Sequence, residues 1–138
     1  MSYELFFIDD EFGTVTEYHG VLTDELLIKC TKERYSSVGR IKRLQYILND
    51  YSKCSKIDIN SDTVKYVATL AIDVSKLNKN IVIAGVMPTD LEFGLGRMWQ
   101  AYADETEWVS KTIRTRDEAE NWIQQTLKQK LHFNHKKI

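Results

Sequence analysis

The sequence is poor in the residues that most often declare a function. Its 138 residues include three histidines, two cysteines and one proline. Cys30 and Cys54 are too few for a disulfide framework, and neither stands in a recognisable nucleophile motif. His19, His132 and His135 offer no spacing for a Cys–His or Ser–His–Asp arrangement. The segment HFNH, without a cysteine nearby, is a weak metal motif. No catalytic residue is assigned, and neither a metal nor a cofactor is expected. No apolar run has the length of a membrane-spanning helix. The opening MSYELFFIDDEF lacks the basic start and long apolar stretch of a signal peptide. The expectation is a cytoplasmic protein with reduced thiols and no integral membrane segment.

Charge of one sign is also missing, but only locally. Residues 1–20 carry five acids and no Lys or Arg, whereas Lys29–Arg43 carries six basic residues against Glu33 alone. Such a basic run is either a solvated face or a docking patch for an acidic partner or an anionic head group. The net charge of −1 gives no reason to expect nucleic acid.

What is present is a regular alternation. YELFFID and GTVTEYHG, joined by DEFG, form a hairpin, with the acids and the glycine supplying turn chemistry. TDELLIKCTKERY is an amphipathic helix capped by Thr23. LQYILND is a strand, and NSDTVKYVATLAIDVSKLN repeats apolar residues at helical period. NIVIAGVMP is short and apolar throughout, as in a strand covered on both faces. Thr89/Glu92 and Thr115/Glu118 have capping-box spacing and open two further helices around the strand TEWVSKTI. The order β-β-α-β-α-β-α-β-α predicts one α/β domain over residues 1–127, with a mostly parallel sheet. Residues 128–138 are expected to be a basic, fraying tail.

The helix DLEFGLGRMWQAY carries Gly94 and Gly96 in its interior, each costing about 1 kcal/mol relative to Ala. The pattern is not a dinucleotide turn, because Trp99 stands where a third glycine belongs and the glycines sit at least a turn inside the helix, beyond its exposed N–H groups. Close packing explains it better. The missing side chains let a backbone, a ring or a ligand approach, and Leu91, Leu95, Met98 and Tyr102 form an apolar stripe alongside. Phe93, Gly94, Gly96, Arg97, Met98, Trp99 and Tyr102 are therefore candidates for intramolecular packing, a dimer seam or a ligand cavity.

In open α/β sheets, sites gather beyond the carboxyl ends of strands. That places Asp50, Asn60, Ser61, Asp62, Thr89 and Asp90 on a polar rim, as helix caps or as an anion or phosphorylated-hydroxyl site.

The segments LQYILNDYS, KIDINSDTVKYVATLAIDVSKLN, NIVIAGVMPTDLEFGLGRMWQAY and TRDEAENWI together resemble the SpoIIAA-like family of bacterial proteins. That family groups with the STAS domains and is related in fold to CRAL-TRIO lipid-binding domains. The resemblance covers most of the chain and is sharpest in FGLGRMWQAY and TRDEAENWI. It implies a βα superhelix with a four- to five-stranded sheet and about four helices. It also implies that Ser61 corresponds to the phosphorylatable serine of anti-sigma factor antagonists, although Asp62 follows it and the glycine of that motif is missing. Two functions are then expected. The first is a non-catalytic regulatory module with a protein partner; the alternative is binding of a small apolar or lipid-like ligand. The aromatic content further predicts a homodimer.

Overall fold

The structure, a computed structural model, describes residues 3–133. The chain opens with β1 (Tyr3–Ile8), β2 (Gly13–Thr23), α1 (Asp24–Arg34) and α2 (Val38–Arg43). It continues with β3 (Tyr46–Asp58), α3 (Ser61–Ser75), β4 (Val82–Val86) and α4 (Asp90–Tyr102). A 3-10 turn (Asp104–Thr106), β5 (Val109–Ile113) and α5 (Arg116–Leu127) complete it. The sheet order is β1-β2-β3-β4-β5, with β1 antiparallel to β2 and all other neighbours parallel. This is the mixed α/β architecture expected, with α2 added. Six residues are too few to display a helical period, so α2 leaves no trace in the apolar pattern.

Each long helix begins where side-chain chemistry satisfies its free N–H groups. Thr23, Asn60, Thr89 and Thr115 cap α1, α3, α4 and α5 by accepting from the backbone N–H three residues on. At Thr89 the box is closed reciprocally by Glu92. At α3 the cap is Asn60, not Ser61, which is the exposed first helical residue.

Period-two alternation along the strands divides the core between the two faces of the sheet. Val15, Tyr46, Leu48, Ala84, Val86 and Ile113 face α5 through Ala119 and Ile123. Ile47 and Ile83 face α3 through Ala71 and Val74, and Tyr18, Leu22 and Tyr51 face α1 and α3 through Leu27, Cys30 and Val67. One helix thus covers one face, and α1, α3 and α4 the other.

Three expectations change. β3 does not stop at Asp50: it runs to Asp58 beside β2, as a ribbon extending beyond the end of β4. The tail does not fray before Phe133, because Leu131 and Phe133 are buried against Tyr46 and its neighbours in the core. The stripe Leu91/Leu95/Met98/Tyr102 is not the packed side of α4. Leu91 is 70% exposed and Tyr102 41% exposed, while Glu92 and Gly96 are buried.

The two helical glycines therefore have different reasons. A Cβ on Gly96 would lie 2.7 Å from Met87 Sδ and 2.8 Å from both Thr112 Cγ2 and Oγ1, whereas a Cβ on Gly94 would meet nothing within 4 Å. Thr112 is stiff at χ1 and donates to Gln100 Oε1, so it yields poorly. Gly94→Ala is expected to stabilise by about 0.5–1 kcal/mol, through helix propensity and a less flexible unfolded chain. Gly96→Ala is expected to destabilise by about 1–2 kcal/mol, the overlap outweighing the same propensity gain. Urea titration of both variants checks the opposite signs; equal signs would refute the close-packing account.

Candidate functional site

The residues of the expected rim do not form one site. Asp50 lies in mid-strand on the α5 face, where its Oδ2 accepts from Arg116 Nη1 at 3.1 Å. The same Nη1 donates to Glu17 at 3.0 Å, and Arg116 Nε donates to Glu120 at 2.7 Å. Asn60 is tied to Asp24 at the start of α1, through its backbone N–H and its side-chain amide. Asp62 is exposed, and Asp90 pairs with Arg114 at 2.9 Å. Among the described residues no hydrogen bond joins these groups to one another. Phe93 lies beneath the Arg114 guanidinium at 4.3 Å, Met98 is half-buried, and Arg97 is exposed.

The basic run is divided as well. Arg40 and Arg43 both pair with Glu11, at 3.2 and 2.7 Å, and Arg40 lies over the Phe7 ring. Arg34 turns inward. Glu4, Glu17 and His19 come within 4.8 Å of one another, but Glu17 already holds Arg116. His132 offers its backbone N–H to Asp9, and His135 lies outside the described residues. Burial, with Glu92 and Asp50 adding to it, pushes the Cys54 thiol up to about 11, so it is a poor nucleophile at neutral pH.

A cavity of about 90 Å³ lies on the other face of the sheet, partly open to solvent. Leu22, Leu27, Ile57, Val67, Ile83 and Trp99 supply much of its apolar wall, and Gly85 leaves its floor without a side chain. Trp99 and Gly96 are the residues of the glycine helix that reach it from the expected set. Four buried polar side chains join the wall, Thr31, Arg34, Asn49 and Thr112, with Arg34 and Asn49 exposed by only 4% and 8%. Arg34 Nη2 donates to Thr16 Oγ1 and Tyr18 OH, each at 3.1 Å, and contacts Cys30 Sγ at 3.6 Å. Tyr18 stacks on Tyr51 with ring centroids 4.6 Å apart. Arg34 Nε and Asn49 Oδ1 are buried with no hydrogen-bond partner. Burial raises the Tyr18, Tyr35 and Tyr51 phenols above their ordinary range, so they stay neutral. Burial works against the guanidinium charge, but a guanidinium does not lose its proton near neutral pH, and Arg34 stays protonated.

Arg34 was legible in principle. Leu27, Cys30, Thr31 and Arg34 follow the spacing i, i+3, i+4, i+7, so the period that buries the first three buries the fourth.

No family model and no curated protein matches the chain. A solved structure does: an uncharacterized protein of the DUF3478 family with a SpoIIAA-like fold, from Shewanella loihica PV-4. It is 18% identical, the superposition covers 88% of this chain and 91% of that one, and the TM-score is 0.57. The fold is SpoIIAA-like. At that identity the likeness extends to the fold alone. Among the described residues no helix is long and apolar enough to cross a membrane.

Proposed function

We propose that the chain is a non-catalytic regulatory module that binds a small molecule between the SpoIIAA-like sheet and helices α1, α3 and α4. The observation that carries this reading is the cavity: an apolar wall, a floor opened by Gly85, and a buried amide oxygen on Asn49 left without a partner. The volume, about 90 Å³, is well below the roughly 300–1,000 Å³ of typical small-molecule pockets, which favours a ligand smaller than a lipid. The wall contains no carboxylate, imidazole or thiol. It supplies two cations, Arg34 and the exposed Lys111, with amides and hydroxyls, groups suited to holding a ligand.

Gly85→Val tests this. Gly85 shares a face with Ile83, and a Cβ there would have only Met87 Cε nearby, at 3.8 Å. Valine therefore fills the floor of the cavity while improving strand propensity, for a gain of up to about 1 kcal/mol. The expected result is a variant at least as stable as the parent that no longer binds. Native mass spectrometry of purified protein should show a small-molecule adduct on the parent and none on Gly85→Val. A parent without adduct, in which no compound of a small-molecule library raises the melting temperature above the shift seen for Gly85→Val, would defeat the proposal.

The outer face of α4 favours a second reading, self-association. Leu91, Gly94, Ala101 and Tyr102 are all exposed there, an apolar and small-residue surface on one helix. We propose a homodimer through this face. The same native mass measurement reads it, and a mass of 16.1 kDa alone at high concentration would exclude it.

A further inference from the structure

We infer that the ligand of the cavity is a small apolar monoanion, a carboxylate, whose charged group meets the Arg34 guanidinium. This rests on the cavity being a ligand site and adds the chemical class of the ligand.

The inference follows from a charge without its counter-charge. Arg34 is 4% exposed, yet Thr16, Tyr18 and Cys30, the groups it bonds, are all neutral. Among the described residues no carboxylate lies within ion-pairing distance of it. The one acid beside it in sequence, Glu33, accepts instead from Tyr3 OH. A buried charge is ordinarily paired, because desolvating it alone is expensive. Arg34 sits in the last turn of α1, whose free carbonyls offer it partial negative charge, roughly half a unit. That leaves the guanidinium under-compensated, on a residue that lines the cavity.

The rest of the wall selects the anion. The buried charge on the wall is one guanidinium, since Lys111, the other cation lining the cavity, is exposed to solvent, and a carboxylate matches the guanidinium's planar fork. A phosphate monoester carries about −1.5 to −2 at neutral pH, which would bury an excess charge among leucines and isoleucines. The remainder of the ligand is apolar, to match Leu22, Leu27, Ile83 and Trp99, and short, to fit the volume.

The test is isothermal titration calorimetry with two matched pairs of probes, butyrate against butyramide and benzoate against benzamide, at fixed ionic strength. The parent should bind at least one carboxylate about tenfold or more tightly than its amide, the effect of one charge-assisted hydrogen bond. Arg34→Met should abolish that preference and leave amide binding within about twofold, since it removes the charge and keeps an apolar stem. Arg34→Gln, which retains a donor on the same face, serves if the methionine variant does not fold. Gly85→Val should lose all four probes. Equal binding of acids and amides would overturn the inference while leaving the cavity as a ligand site. So would an Arg34→Met variant that melts lower with the acid preference intact, because Arg34 would then be a structural strut. Failure of all four probes to bind the parent would overturn it too. The mass-spectrometric adduct and its loss in Gly85→Val would still decide separately whether the cavity binds at all.

Discussion

Replacing Gly13 with alanine is expected to cost about 3–5 kcal/mol, the scale of losing a large aromatic from a core. Gly13 opens β2 opposite Tyr46 in the parallel β2–β3 register. The hydroxyl end of the Tyr46 ring packs directly on it, so that an added Cβ would overlap Cζ, Cε2 and the hydroxyl oxygen. Tyr46 has nowhere to go. It is fully buried, donates to Asp9 Oδ2 at 2.6 Å, and meets Phe133 edge-on with centroids 5.2 Å apart. For a chain of this size the loss should lower the melting temperature by about 10 °C or more. A double-mutant cycle identifies the cause. Tyr46→Ala removes the ring, so Gly13→Ala in that background should cost less than about 1 kcal/mol. If the two losses simply add, the ring contact is not the reason for the glycine.

Gly13 also shows where the chain could be read and where it could not. The segment DEFG marks a hairpin correctly, but the glycine is not its turn residue. The turn is made by Asp9, Asp10 and Glu11, all with positive φ (51°, 55° and 68°), a conformation that non-glycine residues adopt at some cost. It is held from outside. Asp9 accepts from Tyr46 and from the His132 backbone, and Glu11 pairs with Arg40 and Arg43. Those partners lie about thirty or more residues away in sequence, so no local signal reveals them. Local information did locate the helices, because caps such as Thr23 and the Thr89/Glu92 box act within three residues. It also gave the parallel sheet, through continuous apolar runs at β4. The candidate site fared differently. Asp50 and Asn49 are neighbours in sequence, but strand alternation sends Asn49 to the cavity and Asp50 to α5. Only the length of β3, set by its pairing with β2, shows that both lie inside a strand rather than on a rim. Arg34 was hidden by its company, since a basic run suggests solvent even when helical period points one member inward.

Removing the Arg116 guanidinium should produce a loss of comparable size on the same face of the sheet as Tyr46, across from the cavity. Arg116 is the first residue of α5, where a positive charge opposes the helix dipole. It is there because three carboxylates converge on it: Glu17 from β2, Asp50 from β3 and Glu120 from the next turn of α5. The Glu17 and Asp50 side chains are only 11% and 5% exposed, so water cannot replace the guanidinium for them. Arg116→Met takes the shared counter-ion from all three and is expected to cost about 3–5 kcal/mol. Arg116→Lys should recover only part of this, because a single ammonium cannot reproduce the fork that meets Glu17 and Asp50 through one nitrogen and Glu120 through another. Neutralising the acids as well, in Arg116→Met with Glu17→Gln and Asp50→Asn, should restore most of the stability, since an uncharged cluster has no desolvated charge to balance. Urea unfolding with unchanged slope is the measurement. A single Arg116→Met variant losing under about 1 kcal/mol would mean the network is solvated in a way its burial contradicts. Ligand affinity supplies the contrast: measured where the variant remains folded, it should match the parent, because the cavity lies across the sheet from Arg116. If binding fell with Arg116 while the fold held, Asp50 would return as a functional residue rather than the anchor of α5.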